Sequence, residues 1–100
     1  MPLELYVRPS FERSLKALSP EQLKTVGLIL EALKVYYASG SNWVEAKRIA
    51  PRFFYKKLHH SYYEAGVESN LRVVLTREKE KCIAVVAGNH DEIRRFLADA

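Results

Sequence analysis

A carboxylate, a guanidinium and an imidazole stand out in the second half of the chain, at Glu64, Arg72 and His90. Cleavage of RNA through its own 2′-hydroxyl needs a group that accepts a proton, a cation beside the phosphate and a group that protonates the leaving 5′-oxygen. A carboxylate, a bidentate arginine and a histidine suit those three tasks. Two structural explanations stay open: a cross-strand salt bridge between Glu64 and Arg72, and a helix-capping or first-turn place for His90.

The alternation of apolar residues predicts where these side chains point. Apolar residues occupy every second position of 63–67 and of 71–75. Because alternate residues of a strand lie on opposite faces, the apolar sets should face a helical layer, and Glu64 and Arg72 should share the other face. His90 follows the next predicted strand, and two lysines precede the first one. The residues expected together on this uncovered face are Glu64, Arg72, His90, Lys56 and Lys57.

The first 42 residues predict a strand and two helices. Residues 3–8 alternate as a strand with one buried face. Ser10 can cap a short helix, and Ser19 and Pro20 then start a long amphipathic helix that ends near residues 39–42. The two helices meet so closely that they must form a helical hairpin, which is expected to cover one face of a sheet.

The second half of the chain predicts a meander. Residues 62–68, 71–76 and 82–87 predict three strands, with a turn at Ser69-Asn70 between the first two. Asp91 can cap a last helix. The fold class is α+β: an antiparallel or mixed sheet with the N-terminal helical hairpin on one face, in the order β-α-α-β-β-β-α. Residues 43–60 stay open, because 43–49 could form a short helix and 53–55 could be a strand or a loop.

Composition limits the classes of protein. The chain has 100 residues, the size of one domain spanning 1–100, and its 48% hydrophobic and 28% charged residues exclude a disordered or collagen-like chain. No apolar run approaches the roughly 18 residues of a membrane span, and no signal peptide is expected. The single cysteine, Cys82, permits no internal disulfide. We expect a cytoplasmic protein that uses no metal and no cofactor.

One segment carries the excess positive charge. The chain holds 16 basic and 12 acidic residues, a net charge of +4. Residues 46–63 contain no acid, so they predict an anionic partner, most often a nucleic acid. A solubilising surface is the alternative. The basic residues of this segment are Lys47, Arg48, Arg52, Lys56 and Lys57.

Four stretches of the sequence resemble the RelE/ParE superfamily of toxins from toxin–antitoxin systems. Residues 11–19 resemble that family's first helix, "F…LKKL", and Lys57-Leu58 with Tyr63-Glu64 resemble its "KL…Y-E" segment. Residues 70–75 resemble its "YRVVY" strand, and residues 87–93 its "GxH/R" segment. The stretches follow the family's order over nearly the whole chain, except that residues 40–55 look like an insertion.

The resemblance implies a function. Toxins of the RelE branch enter the ribosomal A site and cleave mRNA without a metal. By the resemblance Arg72 holds the phosphate, His90 and Glu64 occupy catalytic positions, and Phe96 stands near the place of a tyrosine that stacks on a base. The resemblance also implies that Lys56 and Lys57 hold RNA backbone. Together with two residues of the basic segment, the set expected to bind RNA is Lys47, Arg48, Lys56, Lys57 and Phe96.

Alternatives and a partner also follow from the resemblance. The ParE branch has the same fold and inhibits DNA gyrase without being an enzyme, and a degenerate, inactive toxin is a third reading. The pairing of His90 with Arg72 and Glu64 favours the nuclease. A toxin must be held inactive, so we expect an acidic antitoxin protein as partner, together with mRNA on the ribosome, or DNA gyrase in the alternative. The last helix is the element expected to move when the antitoxin binds.

Overall fold

A mixed β-sheet lies between two unequal helical layers. The computed structural model describes residues 4–58, 61–67, 71–79 and 81–99. Within them the elements are β1 (Glu4–Val7), α1 (Pro9–Leu15), α2 (Pro20–Ala38), α3 (Trp43–Ile49), β2 (Phe54–Lys57), β3 (Tyr62–Gly66), β4 (Arg72–Glu78), β5 (Lys81–Gly88) and α4 (His90–Asp99).

The described strands form one sheet in the order β1-β5-β4-β3-β2. The pairing of β1 with β5 is parallel, and the other three pairings are antiparallel. This arrangement confirms the predicted α+β class, the mixed sheet and the helical hairpin. The expected turn at Ser69-Asn70 and the first residue of the expected strand 3–8 lie outside the described residues.

The segment that the sequence left open adds a helix and a strand to the predicted order. Asn42 caps α3, because its side-chain oxygen accepts a hydrogen bond from the Val44 backbone nitrogen at 2.9 Å. Ala46 of α3 is fully buried. The chain then turns through Pro51 and returns as β2, an edge strand paired with β3. The observed order is therefore β-α-α-α-β-β-β-β-α.

The predicted strand alternation is confirmed by the core. Ile29 and Leu33 of α2 pack in one buried cluster with alternate residues in and directly beside the central strands: Ala65, Val67, Leu71, Val73 and Leu75. Cys82 lies in the same cluster and is fully buried. Burial raises the pKa of the Cys82 thiol to about 11, so this cysteine is a core residue and a poor nucleophile.

Helix α4 lies on the opposite face of the sheet, and this corrects two expectations. Its cap is Asn89 rather than Asp91: the Asn89 side chain accepts from the Glu92 backbone nitrogen at 2.8 Å, and the Glu92 side chain accepts from the Asn89 backbone nitrogen at 3.0 Å. This reciprocal pair satisfies two backbone donors at once, which a cap at Asp91 would not. The face expected to be uncovered is partly covered, because Ile93 is buried and Phe96 packs edge-to-face on Tyr62.

Within the described part of the chain, every helix is too short or too polar to cross a bilayer.

Replacing a core leucine tests the assignment of the two faces. Leu75 is fully buried, so Leu75→Ala should lower the free energy of unfolding by about 2–5 kcal/mol, measured by urea denaturation. Leu23 on α2 is 42% exposed, so the matched Leu23→Ala should cost no more than about 1 kcal/mol. Equal losses for the two variants would contradict the predicted faces.

Candidate catalytic site

Three charged side chains meet on the α4 side of the sheet. Lys56 of β2 is the direct cross-strand partner of Glu64 of β3, and Arg72 begins β4, the next strand. The Glu64 carboxylate has one oxygen 3.6 Å from Lys56 Nζ and the other 3.5 Å from Arg72 Nε. Positions 56, 64 and 72 share one face of the sheet by strand alternation, as the sequence predicted.

The carboxylate of this cluster is the buried member. Glu64 is only 5% exposed, whereas the side chains of Lys56 and Arg72 are 63% and 23% exposed. A carboxylate removed from water needs compensating charge, and the two cations supply it from opposite sides. The cluster therefore has a buried acidic residue, Glu64, and two more exposed cations, Lys56 and Arg72, which an anionic ligand could reach from solvent.

Arg72 is held by a third neighbour, the ring of Phe54. The guanidinium carbon lies 4.7 Å from the centre of this ring, within the range of a cation–π contact. Phe54 stands opposite Gly66 in the β2–β3 pairing. Phe54 was not among the predicted site residues, although a position two residues before Lys56 lies on the same face of a strand.

His90 lies at the corner of the sheet next to this cluster. It is the first residue of α4 and is exposed. Gly88 is the register partner of Arg72, so the chain leaves the sheet beside Arg72 and enters α4 two residues later. Among the described residues His90 makes no ion pair with Glu64, and the structure places it beside the cluster rather than inside it.

The remaining basic residues do not join this face. Lys57 follows Lys56 on the same strand, so its side chain points to the other side of the sheet. Lys47 and Arg48 lie on α3, which packs in the layer of α2, and Arg48 forms an ion pair with Glu45 at 3.6 Å. The expectation that Lys57 joins Lys56 on this face is therefore wrong, because the side chains of adjacent strand residues point to opposite faces.

Phe96 lies at the edge of the site, in contact with Tyr62. Phe96 is half-buried, and its ring centre lies 5.9 Å from that of Tyr62 in an edge-to-face contact. Among the residues that the structure describes, no group of three or more His, Cys, Asp or Glu side chains could hold a metal ion.

Comparison with solved structures identifies the fold. No protein-family model matches the chain, and no curated protein matches it in sequence. The RelB–RelE antitoxin–toxin complex from Methanococcus jannaschii has a similar structure, with a TM-score of 0.65 and 17% identity over 91% of this chain and 96% of that one. YafQ from E. coli strain BL21(DE3) aligns with a TM-score of 0.61 and 13% identity over 91% and 97% of the two chains.

A third structure agrees with these two. The metal-bound toxin from Helicobacter pylori aligns with a TM-score of 0.58 and 20% identity, covering 91% of this chain and 98% of that toxin. The alignments span almost the whole of each chain. This protein therefore has the fold of the RelE-type toxins.

The close approach of Phe54 to Gly66 can be tested by adding one carbon. A Cβ at residue 66 would lie 2.6 Å from Phe54 Cε1, so Gly66→Ala should lower the free energy of unfolding by about 1–3 kcal/mol. Gly27 in α2 has nothing within 4 Å of such a carbon, so Gly27→Ala should instead raise the free energy of unfolding by up to about 1 kcal/mol. Thermal and urea denaturation of both variants measure this, and a neutral Gly66→Ala would contradict the packing of the ring.

Proposed function

We propose that this protein is the toxin of a type II toxin–antitoxin system and acts as an endoribonuclease that cleaves mRNA on the ribosome. The observation that carries the proposal is the cluster of Lys56, Glu64 and Arg72 on one face of a RelE-type fold. A buried carboxylate beneath two cations provides a proton acceptor next to a place for a phosphate. The sequence resemblance to the RelE branch points to the same activity.

Each step of the reaction has a residue to perform it. Glu64 takes the proton of the 2′-hydroxyl, whose oxygen then bonds to the adjacent phosphorus. Arg72 holds the phosphate and stabilises its added charge. As the bond between phosphorus and the 5′-oxygen breaks, His90 donates a proton to that oxygen. The products are a 2′,3′-cyclic phosphate and a 5′-hydroxyl end, and every step uses side chains of this chain.

The geometry of Arg72 suits a double role. Its Nε faces Glu64 at 3.5 Å, which leaves the two terminal nitrogens of the guanidinium for a phosphate. Lys56, which is mostly exposed, can swing from Glu64 to a neighbouring phosphate at little cost. The same residues therefore hold the carboxylate in the resting protein and the substrate in the reaction.

Basic residues away from the cluster bind the RNA on either side of the cleavage point. Lys57 lies on the edge strand β2, and Lys47 and Arg48 lie on α3, so these side chains contact phosphates of the RNA backbone that are distant from Glu64. The half-exposed ring of Phe96 offers a surface on which a base can stack. An acidic antitoxin is the expected inhibitor, because the chain carries a net charge of +4. A RelE-type neighbour is itself seen in complex with its antitoxin.

Conservative substitutions test the assigned roles. Glu64→Gln, Arg72→Lys and His90→Gln should each lower mRNA cleavage by roughly 100-fold or more, because each keeps the approximate shape and removes a proton acceptor, a bidentate donor or a proton donor. Primer extension on mRNA after induction measures cleavage. Glu31→Gln and Arg13→Lys, both exposed on helices of the opposite layer, are the matched controls and should cleave at the wild-type rate.

Two outcomes would contradict the nuclease. Uncut transcripts together with arrested DNA gyrase would favour the ParE-type alternative. Normal growth after induction of a folded wild-type protein would favour a degenerate toxin.

The salt dependence of RNA binding tests the basic surfaces. Each phosphate that a side chain neutralises in single-stranded RNA contributes about 0.7 to the slope of log K against log salt concentration, so Lys57→Ala and Lys47→Ala should each reduce the slope by about that amount. Lys24→Ala, on the exposed side of α2, is the control and should leave the slope unchanged. Fluorescence anisotropy with a short unstructured RNA measures the affinities. Identical slopes for all the variants would show that these lysines do not contact phosphate.

A further inference from the structure

Arg72 owes its position to a ring as well as to a carboxylate. Its guanidinium carbon lies 4.7 Å from the centre of the Phe54 ring, and its Nε lies 3.5 Å from Glu64. An ion pair at one nitrogen fixes only one end of the guanidinium plane. A ring beneath the guanidinium restricts its remaining motion, because the cation keeps this contact only while it stays over the ring.

The Phe54 ring is not placed there by the main core. Its neighbours in sequence, Phe53 and Tyr55, pack with the buried cluster, whereas Phe54 is half-buried on the opposite face and lies outside that cluster. The ring also lies 5.8 Å from Lys56 Nζ, so both cations of the site border it. The Phe54 ring therefore lies against the charged cluster rather than in the main core.

Gly66 makes the arrangement possible. Phe54 is the register partner of Gly66, and a Cβ at residue 66 would lie 2.6 and 2.7 Å from two carbons of the ring. The same Cβ would lie 3.1 Å from Arg72 Nη1. Any other residue at position 66 would displace the ring, the guanidinium or both.

We propose that Phe54 is a positioning residue for Arg72, seated across Gly66, which orients the guanidinium so that its terminal nitrogens face the scissile phosphate. The proposal rests on the proposed function in one respect, that Arg72 holds this phosphate. Phe54 itself does not touch the reacting atoms. Its effect should therefore appear in the turnover of bound RNA more than in the binding of RNA, because uniform phosphate attraction survives a loosely held arginine.

The position of the guanidinium can be measured without RNA. A proton held over an aromatic ring is shielded, so the Arg72 side-chain N–H resonances should lie upfield in the wild-type protein, move downfield in Phe54→Leu and stay upfield in Phe54→Tyr. Tyr37→Leu is the matched control: Tyr37 lies beneath Arg77 at the same distance, 4.7 Å, on the other face. It should move the Arg77 resonances and leave those of Arg72 in place. Unchanged Arg72 resonances in a folded Phe54→Leu protein would overturn the proposal.

Kinetics on ribosomes programmed with mRNA then test the consequence. Phe54→Leu should lower kcat by roughly 10-fold with KM nearly unchanged, and Phe54→Tyr should restore kcat. In the Arg72→Lys background Phe54→Leu should cost less than about 2-fold, since the planar cation is already gone. Equal losses in both backgrounds would overturn the positioning role. If the resonances shift as expected while the wild-type protein cleaves no RNA, the placement of Arg72 by Phe54 is supported and the nuclease function is the part that fails.

Discussion

The carboxylate of Glu64 imposes the constraint on which this face of the protein depends. At 5% exposure it has lost most of its water, and the loss must be compensated by charge from the same protein. The compensation comes from the two adjoining strands: Lys56 directly opposite on β2, and Arg72 at the start of β4. A slip of one residue in either pairing would turn one cation to the wrong face and leave the buried carboxylate with a single partner. The register of β2, β3 and β4 must therefore be the one that brings Lys56 and Arg72 to the face of Glu64.

The two faces of the sheet differ: one packs in the hydrophobic core and the other carries the charged cluster. Alternate residues of β3 and β4 bury their apolar side chains against α2, and the intervening residues carry the charged cluster. Helix α4 covers part of the charged face, where Ile93 is buried and Phe96 packs on Tyr62, while Lys56 at the edge of the cluster stays exposed. The result is a half-covered corner, bounded by the β2 edge and by the first turn of α4, where His90 stands. A corner of this kind lowers the local dielectric, which strengthens the action of the cations on a bound anion.

The sequence predicted the positions of Glu64 and Arg72 on one face of the sheet, but it left strand β2 open and did not predict that helix α4 borders the same face. Apolar residues hold every second position of 63–67 and of 71–75 because that side of the sheet packs in the core with α2, so the faces of Glu64 and Arg72 followed from a period of two. Residues 53–55 show no alternation, since all three are aromatic and each face offers a partner: Phe53 packs in the core, Phe54 beneath Arg72, and Tyr55 against Tyr37. Lys56 and Lys57 look like one patch in sequence, but a strand sends them to opposite sides. The face taken by α4 depends on contacts such as Phe96 with Tyr62, which no local pattern encodes.

The ion pairs of the resting site also affect the chemistry proposed for it. Lys56 Nζ and Arg72 Nε lie 3.6 and 3.5 Å from different oxygens of Glu64, so both cations are already engaged before RNA binds. A phosphate that binds to Arg72 and Lys56 draws on the same positive charge and brings its own negative charge close to the carboxylate. Both changes arise only when RNA occupies the site. In the proposed mechanism, substrate binding therefore changes the surroundings of the base through two shared cations, and the orientation of Arg72 by Phe54 sets how the guanidinium is shared between carboxylate and phosphate.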